Sequence, residues 1–356
     1  MQEKNFVFYF WKTTLMFRRL FCVAQCRAYT TTAPKIPLTL VAELRKKTQV
    51  SINKAREALS HSDGDIAGAL EWLQKDLVAT GASKAAKVAS RATREGLISV
   101  SVLSEGAGLT TVGGVRAAMI ELNCETDFVG RNELFARLAM DIAHTAAFIS
   151  EAKSRDTLEF SPISLEELEK APLLSSTNIG VVLGTVSSAI RDMIVKVGEN
   201  ITLGRASAIV EESSITPSST YVCRLGSYVH GALHNLSCGR IATLALINIR
   251  SEQLSHLIRQ EDFRKQLSTL ERSIARQIAG FDTLSITPAS YNEVEEQALY
   301  RQPFITLPGE FNGLPVGKAL QKWSTSHGLA STKDEGSHID VVKFLKWKVG
   351  ESTESS

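Results

Sequence analysis

Cysteine is scarce in this 356-residue chain: five are present, and no two form a CxxC pair. The usual dithiol and zinc-ribbon spacings are therefore missing. Cys22 and Cys26 lie in an N-terminal stretch of unusual composition. Cys124, Cys223 and Cys238 are odd in number and far apart, which reads as buried free thiols in a reducing compartment. Long apolar runs are also missing. Nothing approaches the ~18 consecutive apolar residues of a membrane-spanning helix, so no membrane partner is expected.

A surplus of basic charge is lacking too. The formal net charge is +2, but residues 1–33 hold Lys4, Lys12, Arg18, Arg19 and Arg27 against the single acid Glu3. Removing those five from 40 and that one from 38 leaves 35 basic and 37 acidic residues. A protein that neutralises phosphates by counterion release needs more cations than that, so nucleic acid is not expected as a main partner.

Nucleotide and catalytic motifs are absent as well. No GxxxxGK[ST] occurs; Gly313-Leu-Pro-Val-Gly317-Lys318-Ala319 lacks the Ser/Thr that would hold magnesium, and its spacing is short. Gly106-Ala-Gly108 lacks the third glycine of a dinucleotide fingerprint. His230 and His234 stand four apart, but Gly231 and Tyr228-Val229 favour a strand or turn there, and no nearby acid or cysteine completes a ligand set. No nucleophile motif is visible. The expectations are no metal, no cofactor, no direct nucleotide binding and no catalytic chemistry of the chain's own.

What is present begins with residues 1–33. Basic residues alternate with Phe6, Phe8, Phe10, Trp11, Leu15, Phe17, Leu20 and Phe21, and a threonine run follows at 30–32. Acid-poor, arginine-bearing and amphipathic, the stretch reads as a mitochondrial transit peptide and places the protein in the mitochondrial matrix. Arg18-Arg19 interrupts the apolar core that a secretory signal would need.

Residues 36–77 read as three short helices. Val41, Leu44 and Thr48 share one face; Ile52, Ala55 and Leu59 a second; Ile66, Ala69, Leu70, Leu73 and Leu77 a third, after the turn and N-cap signal Asp63-Gly64-Asp65. A small, basic connector is expected over 78–95. From Gly96 the period changes to two, with Ile98, Val100 and Val102 in one strand and Ala118, Ile120, Leu122 and Cys124 in its partner, read as having one buried face. A helix carrying Phe135, Leu138, Ala139, Ile142, Ala143 and Ala146 follows, then a polar excursion over 151–178. A helix over 186–197 ends at Gly198-Glu199-Asn200 and leads into a strand at 201–209. A boundary is read at 211–219. Beyond it come strands at 221–229 and 240–249, one helix over 252–279, a shorter helix over 315–325 and a closing strand with Leu345, Trp347 and Val349. Runs of strands and helices without regular βαβ alternation indicate an α+β core of two similar halves, 96–212 and 220–351, with antiparallel sheets.

The most distinctive segment is Glu121-Leu-Asn-Cys-Glu-Thr126-Asp127-Phe128-Val129, where the strand runs into a carboxylate beside a large apolar ring. Such a pair is either a helix start or a tip built to enter something else. This nonapeptide resembles the signature of elongation factor Ts, the nucleotide exchange factor of the translational GTPase elongation factor Tu. Other elements resemble that family in the same order: Leu44-Arg45-Lys46-Lys47-Thr48, Asp63-Gly64-Asp65-Ile66, Val197-Gly198-Glu199-Asn200-Ile201, Ser227-Tyr228-Val229-His230-Gly231, Gln302-Pro303-Phe304 and Lys346-Trp347-Lys348-Val349-Gly350-Glu351. Gly130 departs from the family's Ser or Ala. The long helical hairpin of many bacterial members has no room before Gln302.

The resemblance implies a ubiquitin-associated-like helical module at 36–77. It also implies a one-to-one complex with mitochondrial elongation factor Tu. Thr126, Asp127, Phe128 and Val129 would form the exchange tip, and Leu44, Arg45, Thr48 and His230, with Phe304, would grip other surfaces. By residue type alone each has a plainer reading. Leu44 and Phe128 suit a core, Asp127 an N-cap, Arg45 a solvated face and His230 a structural hydrogen bond. A ubiquitin-binding adaptor joined to an unrelated α+β domain is the alternative function.

Overall fold

The structure is a computed structural model that describes residues 36–48, 50–107, 114–152, 158–178, 180–212, 220–232, 237–288, 295–330 and 338–351. The transit-peptide reading of 1–33 lies outside the described residues. The chain parts into two compact units between Ala69 and Leu70.

In the first unit, α1 (Leu38–Thr48) buries Val41 and Leu44, and α2 (Ile52–His61) buries Ala55, Ala58 and Leu59. Ser51 caps α2 by accepting from the Lys54 N–H. Asp63 and Gly64 both take positive φ, 51° and 87°, the left-handed turn that Asp tolerates and Gly favours. Asp65 then caps α3 (Ile66–Val88), which begins in the first unit and runs on into the second, its carboxylate accepting from the N–H groups of Ala67 and Gly68. The helix does not stop at residue 77. It continues to Val88 through the residues read as a connector, because Ala82, Ala85 and Ala86 are strong helix formers and no proline intervenes.

The second unit is built from two sheets packed face to face between two layers of helices. Its elements are β1 (Glu95–Glu105), β2 (Val115–Cys124), α4 (Asp127–Gly130), α5 (Glu133–Ile149), β3 (Ser161–Pro162), α6 (Leu165–Lys170), β4 (Pro172–Leu174), β5 (Val182–Thr185), α7 (Val186–Val197) and β6 (Ile201–Val210). After these come β7 (Tyr221–His230), β8 (Cys238–Gly239), β9 (Ile241–Arg250), α8 (Leu254–Leu257), α9 (Glu261–Gly280), α10 (Val316–Ser326) and β10 (Ile339–Lys348). The larger sheet has the order β3-β6-β2-β1-β8, the smaller β10-β9-β7, and both are antiparallel throughout. β4 and β5 form a separate hairpin. The α+β class with antiparallel sheets is as the sequence indicates.

Strand alternation sorts the side chains into three cores. Leu97, Ile120, Leu122 and Cys124 face α5 and α7 with Phe135, Leu138, Ile142 and Ile194. Ile98, Val100, Ala117 and Met119 face the other sheet, meeting Leu225, Leu244, Leu246 and Trp347. On its far side the smaller sheet packs Val222, Ala245, Ile247 and Val341 against Leu267, Leu270, Ile274 and Trp323 of α9 and α10. β2 is thus buried on both faces, which corrects the reading of a single buried face. It lies inside a sheet that is itself covered on both sides. β8 joins the larger sheet although it follows the boundary read at 211–219, so the two halves share both a sheet and a core.

Two further expectations are corrected. Residues 254–280 form two helices, not one. The segment 151–178 is not merely a solvated excursion, for α6 and β4 send Leu168 and Leu173 wholly into the first core. Between Gly280 and Gln302 the only helical turns among the described residues are two short 3-10 turns, Glu295–Gln297 and Leu299–Arg301.

Candidate functional site

The site is the end of β2 and the short helix after it. Thr126 is the N-cap of α4: its backbone is extended and its hydroxyl accepts from the Val129 N–H. Asp127 is therefore the first helical residue and not the cap. There it complements the helix N-terminus, and it pairs with Arg131 one turn on, at 3.1 Å. Val129 turns inward and is buried in the first core. Phe128 points the other way, with 83% of its surface exposed. A four-residue helix has one inward and one outward side, so the neighbours Phe128 and Val129 divide between solvent and core.

The mount beneath this turn is rigid for identifiable reasons. Gly96 on β1 lies so close to β2 that a Cβ there would stand 2.3 Å from the Leu122 carbonyl oxygen. Gly130, by contrast, has ordinary van der Waals room for a Cβ, 3.7 Å from the Cys124 sulfur. The departure to Gly at this position is not forced by crowding. The Cys124 thiol donates to the Thr126 carbonyl. Its pKa is pushed up to about 12, chiefly by burial and then by the carboxylates of Glu199 and Glu95. Cys238 is pushed up to about 11 by burial, and Cys223 is raised by the same cause. All three cysteines are buried and free, as the sequence indicates.

Sequence reasoning overlooked Glu199. It read Gly198-Glu199-Asn200 as a helix end and as part of a family-like element, with no site role for Glu199, and Gly198 does close α7 in the left-handed conformation with φ 78°. The two residues after it grip the tip. The Glu199 carboxylate accepts from the Thr126 N–H at 3.0 Å and from its hydroxyl at 2.7 Å. Reciprocally, the Glu125 carboxylate accepts from the Asn200 N–H at 2.6 Å. The signal was available, as an acid and an amide following a C-cap glycine beside an equally polar strand end. Its partner lies more than seventy residues away, where no local pattern reaches.

Leu44, Arg45 and Thr48 belong to the first unit, and His230 and Phe304 to the second. Leu44 is completely buried in the first unit, where its apolar face joins the core of α1 and α2. Arg45 is exposed and its guanidinium donates to the Val50 carbonyl. The Thr48 hydroxyl bonds back to the Leu44 carbonyl. His230 stands exposed at the end of β7, with its carbonyl accepting from Arg240. His234 lies outside the described residues. Phe304 is fully buried in the core under α9 and α10. Gln302 beside it is a buried hub, its amide donating to Thr283 and to the Glu296 carbonyl. Among the described residues no group of acids, histidines or cysteines could hold a metal ion, and no helix is long and apolar enough to cross a membrane.

The family model described as Elongation factor TS matches residues 125–305, beginning at the tip itself. The protein named Elongation factor Ts, mitochondrial, of Coprinopsis cinerea is 51% identical over 330 residues, spanning 92% of this chain and 96% of the relative. Its namesake of Laccaria bicolor is 52% identical over 329 residues, with 92% and 95% covered. Elongation factor Ts, mitochondrial 2, of Postia placenta is 44% identical over 323 residues, with 90% and 94% covered. A match that spans half the chain by family model and nearly all of it by relatives leaves one assignment: the chain belongs to the elongation factor Ts family.

Proposed function

We propose that this chain is a guanine nucleotide exchange factor for mitochondrial elongation factor Tu, acting in the mitochondrial matrix in a one-to-one complex. The observation that carries this reading is Phe128. A phenyl ring 83% exposed costs solvation unless something covers it, and here it stands on a braced strand end, not on a floppy loop. The mitochondrial names of the relatives and the acid-poor composition of residues 1–33 support the compartment.

In this reading the ring enters a seam between helices of the GTPase domain. Packed interiors answer intrusion by discrete repacking, so a wedge shifts an element instead of denting it. Asp127, its side chain 44% exposed at the start of α4, is the polar contact beside the wedge. It competes for groups that hold the partner's Mg²⁺ or orient its phosphate loop. Loss of that ion removes the charge that neutralises the diphosphate, and GDP leaves. Linkage makes the effect reciprocal. Weakening GDP a thousandfold means that nucleotide-free partner binds this chain tighter by about 4 kcal/mol.

The chain contributes no bond-making chemistry of its own. The helices of 36–77, taken as the ubiquitin-associated-like module, present Arg45 to a second surface, and His230 at the end of β7 presents a third. Residues 96–212 and 220–351 then serve as the two halves of one rigid holder for the tip. The test is release of a fluorescent GDP from elongation factor Tu with and without the chain: acceleration supports the reading, and an unchanged rate removes it. Retention on immobilised ubiquitin without any effect on GDP would favour an adaptor instead.

A further inference from the structure

We infer that Glu199 is a positioning residue of the exchange tip, holding Phe128 at its working angle through Thr126. The inference rests on the exchange reading and deepens it.

α4 has only four residues, too few for the helix to fix its own direction. Its orientation must come from what holds its first turn. Val129 anchors the inner side in the core, which fixes depth but leaves rotation about that anchor open. The second fixed point is Thr126. One carboxylate, Glu199, takes both donors of this residue, the N–H at 3.0 Å and the hydroxyl at 2.7 Å. Those two bonds set the backbone of the residue on which α4 begins, and so the direction in which Phe128, two residues later, projects.

The brace is doubled across the same gap. Each segment offers a carboxylate to the other's backbone, Glu199 to Thr126 and Glu125 to Asn200. The Asn200 side chain donates onward to the carbonyls of Ala89 and Arg91, and Arg91 lies 3.4 Å from Glu125. The turn at Gly198 delivers Glu199 to this place, so the end of α7 and the end of β2 are locked at one point. Charge-assisted bonds of this kind are stronger than neutral ones. An amide in place of the carboxylate loses that charge assistance: its oxygen can take the Thr126 N–H, but its NH2 group then meets a hydroxyl whose oxygen already accepts from the Val129 N–H.

A brace that aims the wedge differs from one that merely holds the fold. Aiming affects the step at which GDP leaves more than the encounter that precedes it. The experiment uses the full chain, fluorescent GDP on elongation factor Tu, and a titration of factor that separates the maximal release rate from the half-saturating concentration. Glu199→Gln is expected to lower the maximal rate about tenfold, the factor that ~1.4 kcal/mol carries, while half-saturation moves less than about threefold. Thr126→Val removes the same hydroxyl bond from the other side. In that background Glu199→Gln adds much less than its own tenfold, because the two act on one contact. Thr126→Ser, which keeps the hydroxyl with its bonds to Glu199 and from the Val129 N–H, releases GDP at least about fivefold faster than Thr126→Val, the factor for a single hydrogen bond of ~1 kcal/mol.

A maximal rate unchanged in Glu199→Gln overturns the inference, as do losses that simply multiply in the double variant. If Glu199→Gln fails to fold, the Ser and Val pair at Thr126 decides, and equal rates for those two overturn it. If the wild-type chain itself does not accelerate GDP release, it is the exchange reading that fails, and the variants are not then compared.

Discussion

Glu121 on β2 and Arg205 on β6 stand directly opposite each other and form an ion pair at 2.7 Å, their side chains 5% and 16% exposed. The same carboxylate accepts from the Asn123 amide and from the Gly350 N–H just beyond β10. Arg205 in turn lies 4.4 Å over the Trp347 ring and donates to the Lys348 carbonyl. An acid six residues before the tip residue Asp127 therefore ties the strand that carries it to the closing strand of the other sheet.

Removing one partner of such a pair strands a buried charge. Glu121→Ala is expected to cost about 3 kcal/mol of stability, since it leaves two N–H donors unanswered and the guanidinium with only the Lys348 carbonyl and the more distant, half-exposed Glu351. Urea denaturation followed by circular dichroism measures this, and an unshifted midpoint would contradict the role assigned to Glu121.

Arg224 and Glu271 make the second buried pair, with two parallel bonds at 2.7 and 2.9 Å. Either single alanine substitution should cost about 3–5 kcal/mol. Replacing both by apolar residues, Arg224→Met with Glu271→Leu, should cost less than either, because no unpaired charge remains. Such a swap takes Arg224 away from the Ala107 carbonyl, which accepts from it, and from the exposed Glu105 at 3.6 Å. Four denaturation curves suffice, the wild type included, and a double swap as costly as the sum of the two single losses would count against the pair.

The buried thiols set an alkaline limit. Cys124 at about 12 and Cys238 at about 11 hold their protons in the folded chain above the ordinary value of 9.0. Between pH 9 and those values the unfolded chain binds fewer protons than the folded one, so stability falls as pH rises. Thermal midpoints from pH 8 to 10.5 should decline, and Cys124→Ala should flatten the decline after its own cavity cost is subtracted at pH 8. In a chain with Cys22 and Cys26 replaced by serine, a thiol reagent at pH 8 should titrate Cys124, Cys223 and Cys238 only after denaturant is added. Rapid labelling of the native chain would show that one of them is open to solvent.

Phe128 should matter little to the fold. Its ring is exposed, so Phe128→Ala should shift stability by no more than about 0.5 kcal/mol. A large loss in a thermal melt would mean that the ring supports the core and is not a free wedge.

The sequence made some of this legible and hid the rest for physical reasons. The nonapeptide at 121–129 and the α7–Gly198–β6 sequence were readable because a strand end, a C-cap glycine and helical spacing are local signals. Alternation at Ala118, Ile120, Leu122 and Cys124 showed one face of β2. The second face was hidden because Ala117 and Met119 are interleaved with Glu121 and Asn123, whose polarity suggests solvent until Arg205 is seen opposite. Leu44 carried both a contact and a core reading and Phe304 a contact reading, because an apolar side chain looks the same in either place until its burial is seen. The grip of Glu199 on Thr126 was illegible because it depends on two segments meeting only after the sheet has formed.

The central claim is that an exposed ring on a braced turn drives nucleotide release. Stopped-flow release of fluorescent GDP from mitochondrial elongation factor Tu, with saturating wild-type chain or Phe128→Ala, tests it most directly. The account predicts strong acceleration by the wild type, and for the variant a maximal rate at least about tenfold lower with its melting temperature preserved. Equal release rates for the two proteins would contradict it.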